Sequence, residues 1–187
     1  MIINIDKSKK GIIRLKYDVK VNGKLKYHSK SNILLPYNKT DIYDLNKNRV
    51  LKVLDERTNS KFLNFNLTFK ASNYQFKSDS FLEHNLFYQS KKISFFPQKG
   101  HLISIFLNNQ QIGYFDKNKK TRFKGNKFII EIIDNIIPEE ILIGCVLAYD
   151  LKFYSNRDII LIYDPGFTSI KPLKKHNANW KENIKNV

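Results

Sequence analysis

Residues 138–150 read Pro-Glu-Glu-Ile-Leu-Ile-Gly-Cys-Val-Leu-Ala-Tyr-Asp, the stretch that differs most from the rest of the chain. Pro138 suits the first position of a helix, where its missing N–H costs nothing. The two glutamates that follow suit the first turn, beside the positive end of the helix dipole. Ile141 to Tyr149 carry no charge, so a helix here is apolar on every side and must be surrounded by protein or lipid. It is too short to span a membrane. We therefore predict a buried hydrophobic helix over residues 138–151, enclosed by a sheet, with a buried strand as the alternative.

The rest of the chain alternates apolar and polar residues as half-buried strands do. The clearest case runs from Ile13 to Val21, turns at Asn22-Gly23, a strong hairpin signal, and returns through Leu25 and Tyr27. Short segments of this kind recur about every ten residues, which is typical of an antiparallel sandwich or barrel. The further predicted strands are Ile42–Leu45, Val50–Leu54, Phe62–Phe69, Tyr74–Phe76, Phe81–Tyr88, Ile93–Phe96, Ile103–Leu107, Ile112–Phe115, Phe128–Ile133 and Ile159–Tyr163.

The chain shows no internal repeat and no linker that would divide it, and 187 residues can bury the core of a single domain. From about Thr168 it becomes polar and rich in lysine. We expect one domain over residues 1–167 and a basic C-terminal tail over residues 168–187, either loosely attached or ending in a short helix.

The formal net charge is +16 at pH 7, which is large for a chain of this length. Such a surface attracts anions: nucleic acid, acidic lipid headgroups or an acidic protein. The chain is also crowded with the residues that an AT-rich genome over-produces, namely Lys, Asn, Ile, Phe and Tyr. Composition alone is therefore a second explanation of the charge.

The first hairpin carries the one basic cluster that has a spacing argument. Period-two alternation places its basic residues on the outward face of two adjacent strands, where Asp18 interrupts them. They form a candidate anion-binding site, although lysines on an exposed sheet also maintain solubility and block edge pairing. The candidate residues are Arg14, Lys16, Lys20, Lys24 and Lys26.

A second basic cluster lies in the tail around Trp180. An aromatic residue among lysines can anchor at a membrane interface. Equally, Trp180 can fix the tail to the domain. The lysines of this cluster are Lys171, Lys174, Lys175, Lys181 and Lys185.

The motifs of several classes of protein are missing. Cys145 is the only cysteine, so no internal disulfide forms, and its apolar neighbours indicate a small buried hydrophobe. The four histidines do not sit at metal-ligand spacing, and we expect no metal. The sequence has no phosphate-binding glycine loop and no nucleophile elbow. We expect a protein that is not an enzyme and holds no cofactor.

Two further observations bear on partners and location. The aromatic residues fall mostly on inward-alternating positions, whereas a nucleic-acid stacking platform needs outward aromatics beside basic residues; nucleic acid is not the expected partner. Residues 1–5 are too short an apolar stretch for a signal peptide, and no stretch of about 18 apolar residues exists. We expect a cytoplasmic protein, with peripheral association with a membrane as one option.

The order of many strands followed by one apolar helix resembles the tubby C-terminal-like superfamily, which includes the LURP-one-related proteins and the phospholipid scramblases. The resemblance implies a mainly β fold, a closed antiparallel barrel of about 12 strands around the helix. It also suggests phosphoinositide or acidic-lipid binding, but the lipid-contacting residues of that family match no specific positions here. The residues that carry the resemblance are 42–53, Gln111–Phe115, Phe128–Asp134 and Glu139–Asp150.

Together these patterns lead us to expect a non-enzymatic binding domain that engages an acidic partner through a basic surface, with anionic membrane phospholipid as the candidate partner. The alternative is a protein-interaction module, such as an immunity or inhibitor protein that caps an acidic toxin. A third option is a small enzyme whose site is assembled from distant residues, which would need a deep pocket with convergent polar groups.

Overall fold

Twelve antiparallel strands form a closed barrel around one helix in the part of the chain that the computed structural model describes, residues 1–10, 14–32, 38–56, 62–118, 127–153 and 171–182. The predicted fold class is thus confirmed. The elements are β1 (Ile2–Lys10), β2 (Arg14–Val21), β3 (Lys24–Asn32), β4 (Lys39–Asp44), β5 (Arg49–Asp55), β6 (Asn64–Phe69), β7 (Ser72–Ser80), β8 (Glu83–Tyr88), β9 (Lys91–Pro97), β10 (Leu102–Leu107), β11 (Gln110–Asn118), β12 (Lys127–Ile132) and α1 (Glu139–Phe153).

The strands form a simple meander. Each strand pairs with its neighbour in sequence, and β1 pairs with β12 to close the barrel, with Ile5 opposite Phe128. Closure leaves none of these twelve strands with a free edge to pair with another chain. Because the strands alternate in direction, the turns after β2 and β4 lie at the same end of the barrel, where α1 also begins.

The helix fills the interior of the barrel, as its uncharged sequence predicted. Every residue from Ile141 to Leu151 is buried. The carbonyl of Pro138 accepts a hydrogen bond from the N–H of Leu142 (3.2 Å), so the first helical bond starts at the proline. Gly144 allows the helix to approach β5, since a Cβ atom there would lie 2.4 Å from a methyl carbon of Leu51. The helix ends at Phe153, two residues beyond the predicted boundary.

The strand that closes the barrel, β1, was not among the predicted strands. Ile3 and Ile5 point into the core, but the next inward position is occupied by Lys7, whose side chain is almost completely buried. Its Nζ lies 4.0 Å from Oδ2 of Asp150, which also accepts a 2.5 Å hydrogen bond from the hydroxyl of Tyr17. A charged residue on the inner face interrupts the apolar alternation that would have revealed the strand.

Some of the predictions fall on residues outside the described ranges. These are the start of the second strand at Ile13, the strand at Ile159–Tyr163 and the boundary between residues 167 and 168. Residues 171–182 are described, and they lie against the outside of the barrel.

Candidate anion-binding face

The turn between β2 and β3 sets the geometry of the candidate site. Asn22 and Gly23 both adopt positive φ, +48° and +80°, which is the conformation of the tight two-residue hairpin that the sequence predicted. The Asn22 carboxamide oxygen also accepts a hydrogen bond from the N–H of Ile2 (2.9 Å), which ties the turn to β1. This fixed register decides which side chains of the hairpin point outward.

Four of the five predicted basic residues project freely from this hairpin. All four are exposed, and Arg14, Lys16 and Lys20 alternate along β2 with buried core residues such as Leu15 and Val19. Lys24 lies beside the turn, opposite the buried Val21, at the start of a run of three exposed residues on β3. Within the described residues none of them forms an ion pair. We call this group the basic face: Arg14, Lys16, Lys20 and Lys24.

The fifth residue, Lys26, has a different environment. Its Nζ lies 2.8 Å from Oε1 of Glu139 in the first turn of α1, and the hydroxyl of Tyr27 donates to the same oxygen at 2.7 Å. Burial of Tyr27, together with this hydrogen bond, raises the pKa of its phenol. Since 113 residues separate Lys26 from Glu139, spacing along the chain could not have shown that Lys26 already has an acidic partner.

Lys30 on β3 extends the basic face, and a hydrogen-bonded pair, Asp18 and His28, divides it. Lys16 lies directly opposite Lys30 in the β2–β3 register. Like charges in this position repel each other, and an anion bound between them removes the repulsion. Asp18 interrupts the basic residues of β2, as predicted, and its Oδ1 lies 2.7 Å from Nδ1 of His28. The uncompensated cations therefore form two groups, one near the turn and one farther along the strands.

Exposed apolar side chains surround the group nearest the turn. Leu25 lies opposite Lys20 across the hairpin and is 39% exposed, and Ile2 at the start of β1 is 46% exposed. Leu45, in the turn after β4, is 55% exposed. All three are at the barrel end where α1 begins. Among the described residues, this end thus combines unpaired ammonium groups with apolar side chains that are about half exposed.

A cleft of about 590 Å³ lies at the same end, between the start of α1 and the first hairpin. Its polar groups largely bind one another. The amino group of Met1 donates to the carbonyl of Ile132 (2.8 Å) and pairs with the Asp134 carboxylate, while Glu139 is held by Lys26 as described above. The cleft is therefore built from paired groups.

Most of the basic cluster around Trp180 lies in residues 171–182, which pack on the outside of β9–β12. Trp180 is only 4% exposed, so in the structure this side chain fixes the segment to the barrel, the second of the two roles considered. The Lys181 ammonium pairs with Glu131, and that of Lys174 lies over two phenylalanine rings. Lys171 and Lys175 are in the described segment, and Lys185 lies outside it.

The structure also shows the environment of Cys145 and of the side chains that can ligate a metal. Cys145 is completely buried on α1, and this burial raises the pKa of its thiol. Among the described residues, no three His, Cys, Asp or Glu side chains come together as metal ligands would. In the same part of the chain, no helix combines the length and apolarity needed to cross a bilayer.

No family model, no curated protein and no solved structure matches this chain. A closed barrel of twelve strands with one helix inside fits the tubby-like barrel fold in general. The likeness therefore rests on architecture.

Proposed function

We propose that this chain is a non-enzymatic binding domain that engages an anionic phospholipid surface with the end of the barrel where the β2–β3 turn lies. The observation that carries the proposal is the juxtaposition at that end of unpaired lysines, Lys20 and Lys24, with the exposed apolar side chains of Ile2, Leu25 and Leu45. The protein would act in the cytoplasm as a peripheral membrane protein.

The two kinds of side chain suit two layers of a membrane. Each basic residue near an anionic bilayer contributes about 1 kcal/mol of attraction. Leucine and isoleucine side chains that enter the acyl boundary gain the hydrophobic free energy of burial. Lys16 and Arg14, farther along the same hairpin, add long-range attraction that orients the barrel as it approaches.

The exposed apolar side chains favour a lipid surface over nucleic acid. A single-stranded nucleic acid binds to outward aromatic rings flanked by cations. The rings of Phe96 and Phe106 lie on a different part of the barrel and are covered by residues 171–182. The exposed rings of Phe62, Phe81 and Phe87 belong to the region of β6–β8, away from the β2–β3 hairpin. Near the turn, the basic face offers aliphatic side chains, which a bilayer can bury and a base cannot stack on. Farther along the strands, the ring of Tyr43 is already in contact with the ammonium of Lys30, 5.5 Å from its centroid.

We also propose that the chain belongs to the tubby C-terminal-like superfamily. Support comes from the helix inside a closed antiparallel barrel of twelve strands and from the residues that carry the sequence resemblance. The lipid proposal does not depend on this membership, since it rests on the side chains of this chain.

The proposal is tested by co-sedimentation of the full chain with liposomes at physiological salt. We expect binding to vesicles that contain phosphatidylserine, no binding to pure phosphatidylcholine, and no displacement by added DNA. Replacing Lys20 and Lys24 by Gln removes two charges and should lower partitioning about 30-fold, from about 1 kcal/mol for each residue. Leu25→Ser with Leu45→Ser should also weaken binding, by an amount that salt does not change.

The matched control removes two lysines elsewhere. Lys77 in β7 and Lys99 in the turn before β10 lie on the far side of the barrel from the β2–β3 hairpin. Lys77→Gln with Lys99→Gln changes the net charge equally and should leave binding unchanged. If both double variants lose binding alike, total charge, and not this face, attracts the lipid. If the wild-type chain does not bind acidic vesicles, the lipid proposal is wrong, and pull-downs should seek an acidic protein.

A further inference from the structure

Residues 171–182 are held on the outside of the barrel by side chains that bind the main chain of the segment. The carboxamide of Gln98 donates to the carbonyl of Lys174 (2.7 Å) and accepts from the N–H of His176 (3.0 Å). One donor and one acceptor side by side imitate a peptide group at a strand edge. Gln98 thus binds this backbone whatever its side chains are.

A second carboxamide continues the pattern and selects one side chain. The oxygen of Gln111 accepts from the N–H of Asn177 (2.9 Å), which fixes the amide so that its NH₂ group points at Nδ1 of His176 (3.0 Å). The Ser104 hydroxyl lies 3.0 Å from the same nitrogen. Because the Gln111 NH₂ group can only donate, Nδ1 must accept, and the site requires a neutral imidazole.

Two side-chain contacts, one cation–π and one hydrophobic, complete the site. The outward rings of Phe96 and Phe106 are nearly buried, with the ammonium of Lys174 at 5.0 and 5.2 Å from their centroids. Trp180, nearly buried, provides the second contact farther along the segment. Main-chain hydrogen bonds with pockets for particular side chains are the two components of peptide recognition by protein domains.

We propose that this outer face of β9–β11 is a peptide-binding groove, and that residues 171–182 are an exchangeable ligand that a second copy of the chain can supply in trans. The hydrogen bonds join residues 65 to 78 positions apart, so they depend on the sequence of the segment and not on local chain connection. The proposal therefore requires that a segment supplied by a second copy make these same contacts.

The first test measures binding of a fluorescein-labelled peptide of residues 171–182 to the full chain by fluorescence anisotropy. The resident segment competes at a high effective concentration, so the wild-type chain should bind the peptide weakly. Trp180→Ala with Lys181→Glu weakens the resident segment and leaves the groove intact. We expect this variant to bind the peptide at least about tenfold more tightly than wild type.

Two controls make the result specific. Adding Gln111→Ala to the double variant, or using a peptide in which alanine replaces its tryptophan, should each lower the affinity about tenfold or more. If circular dichroism shows that the double variant is unfolded, Lys181→Glu alone replaces it, with an expected gain of about fivefold. Equal affinity of the wild-type chain and the folded variant, or no binding to that variant at millimolar peptide, would overturn the proposal.

The second test asks whether another copy supplies the segment. Gln98→Ala with Gln111→Ala releases the segment, and the Trp180→Ala, Lys181→Glu variant offers an intact groove. A mixture of the two should contain a heterodimer in sedimentation velocity that neither forms alone. Peptide binding without this heterodimer would show a groove that does not accept a second copy, and would overturn that part of the proposal.

Discussion

The barrel should lose stability on mild acidification because His84 is enclosed in a neutral state. The ring is fully buried and packs against Tyr149 and Phe153 of α1, with centroids 5.4 and 5.7 Å away. Nδ1 lies 2.7 Å from the hydroxyl of Ser78, and Nε2 has no hydrogen-bond partner among the described residues. Desolvation lowers the pKa of His84 from 6.5 to about 3, while the nearby charge of Glu83 opposes the shift.

This shift fixes the direction and size of the effect. Since the pKa is lower in the folded state, the unfolded chain binds the proton first, and stability falls as the pH drops below 6.5. Linkage between pKa values of 6.5 and about 3 removes about 2 kcal/mol at pH 5, and about 5 kcal/mol below pH 3. The free energy of unfolding lost at pH 5 should thus be a sizeable fraction of the stability of a typical domain.

The assay is urea unfolding of the wild-type chain and of His84→Gln at pH 7.5 and 5.0. Glutamine keeps a polar contact for Ser78 but does not titrate, so the variant should be less stable at pH 7.5 and about 2 kcal/mol less sensitive to the change in pH. Ile93→Val, a buried change on β9 that costs about 1 kcal/mol, is the matched control and should keep the wild-type sensitivity. If His84→Gln and the wild-type chain lose the same free energy between the two pH values, the burial argument is wrong.

Three other perturbations test the packing and the C-terminal segment. Gly113→Ala should cost about 3 kcal/mol or more of folding stability, because the new Cβ would lie 2.4 Å from the backbone carbonyl oxygen of Glu131. Gly144→Ala should cost only about 1–3 kcal/mol, because its new Cβ meets side-chain ends that can move. Urea unfolding ranks the two variants, and the reverse order would contradict the geometry. Burial lowers the pKa of His176, so residues 171–182 should be attached above pH 6.5 and released as the pH falls through the folded-state pKa. The fluorescence emission of Trp180, the only tryptophan, should then shift to the red on acidification. The same shift in His176→Gln would show that protonation of His176 does not release the segment. The buried thiol of Cys145 should react with a thiol reagent only after unfolding, and fast labelling of the native chain would show that the helix is not enclosed.

Local periodicity was sufficient to predict much of this molecule. The alternation from Leu15 to Val21 predicted which side chains of β2 face solvent, and Asn22-Gly23 predicted where the hairpin turns, because both depend only on backbone geometry within a few residues. On β3 the alternation was wrong for Leu25, which is 39% exposed because the register shifts at Val19 and Lys20. The uncharged stretch after Glu140 required an enclosed helix, since no other environment suits a helix without a polar side.

Other features required contacts between distant residues, which no local pattern encodes. The closing strand β1 is hidden in the sequence by Lys7, which can be an inward residue because Tyr17 and Asp150 surround it. Lys26 could be separated from the basic face only when Glu139 was seen beside it.

Most of the strands, the helix and the outward position of the basic residues on β2 follow from the short-range geometry of the chain, and they were therefore predictable from the sequence; β1 was not. Which charges remain unpaired, and where residues 171–182 lie, depends on contacts between residues far apart in the sequence. Gln98 and Gln111, which hold that segment, are ordinary polar residues in the sequence, and their role follows from binding backbone groups more than 60 positions away.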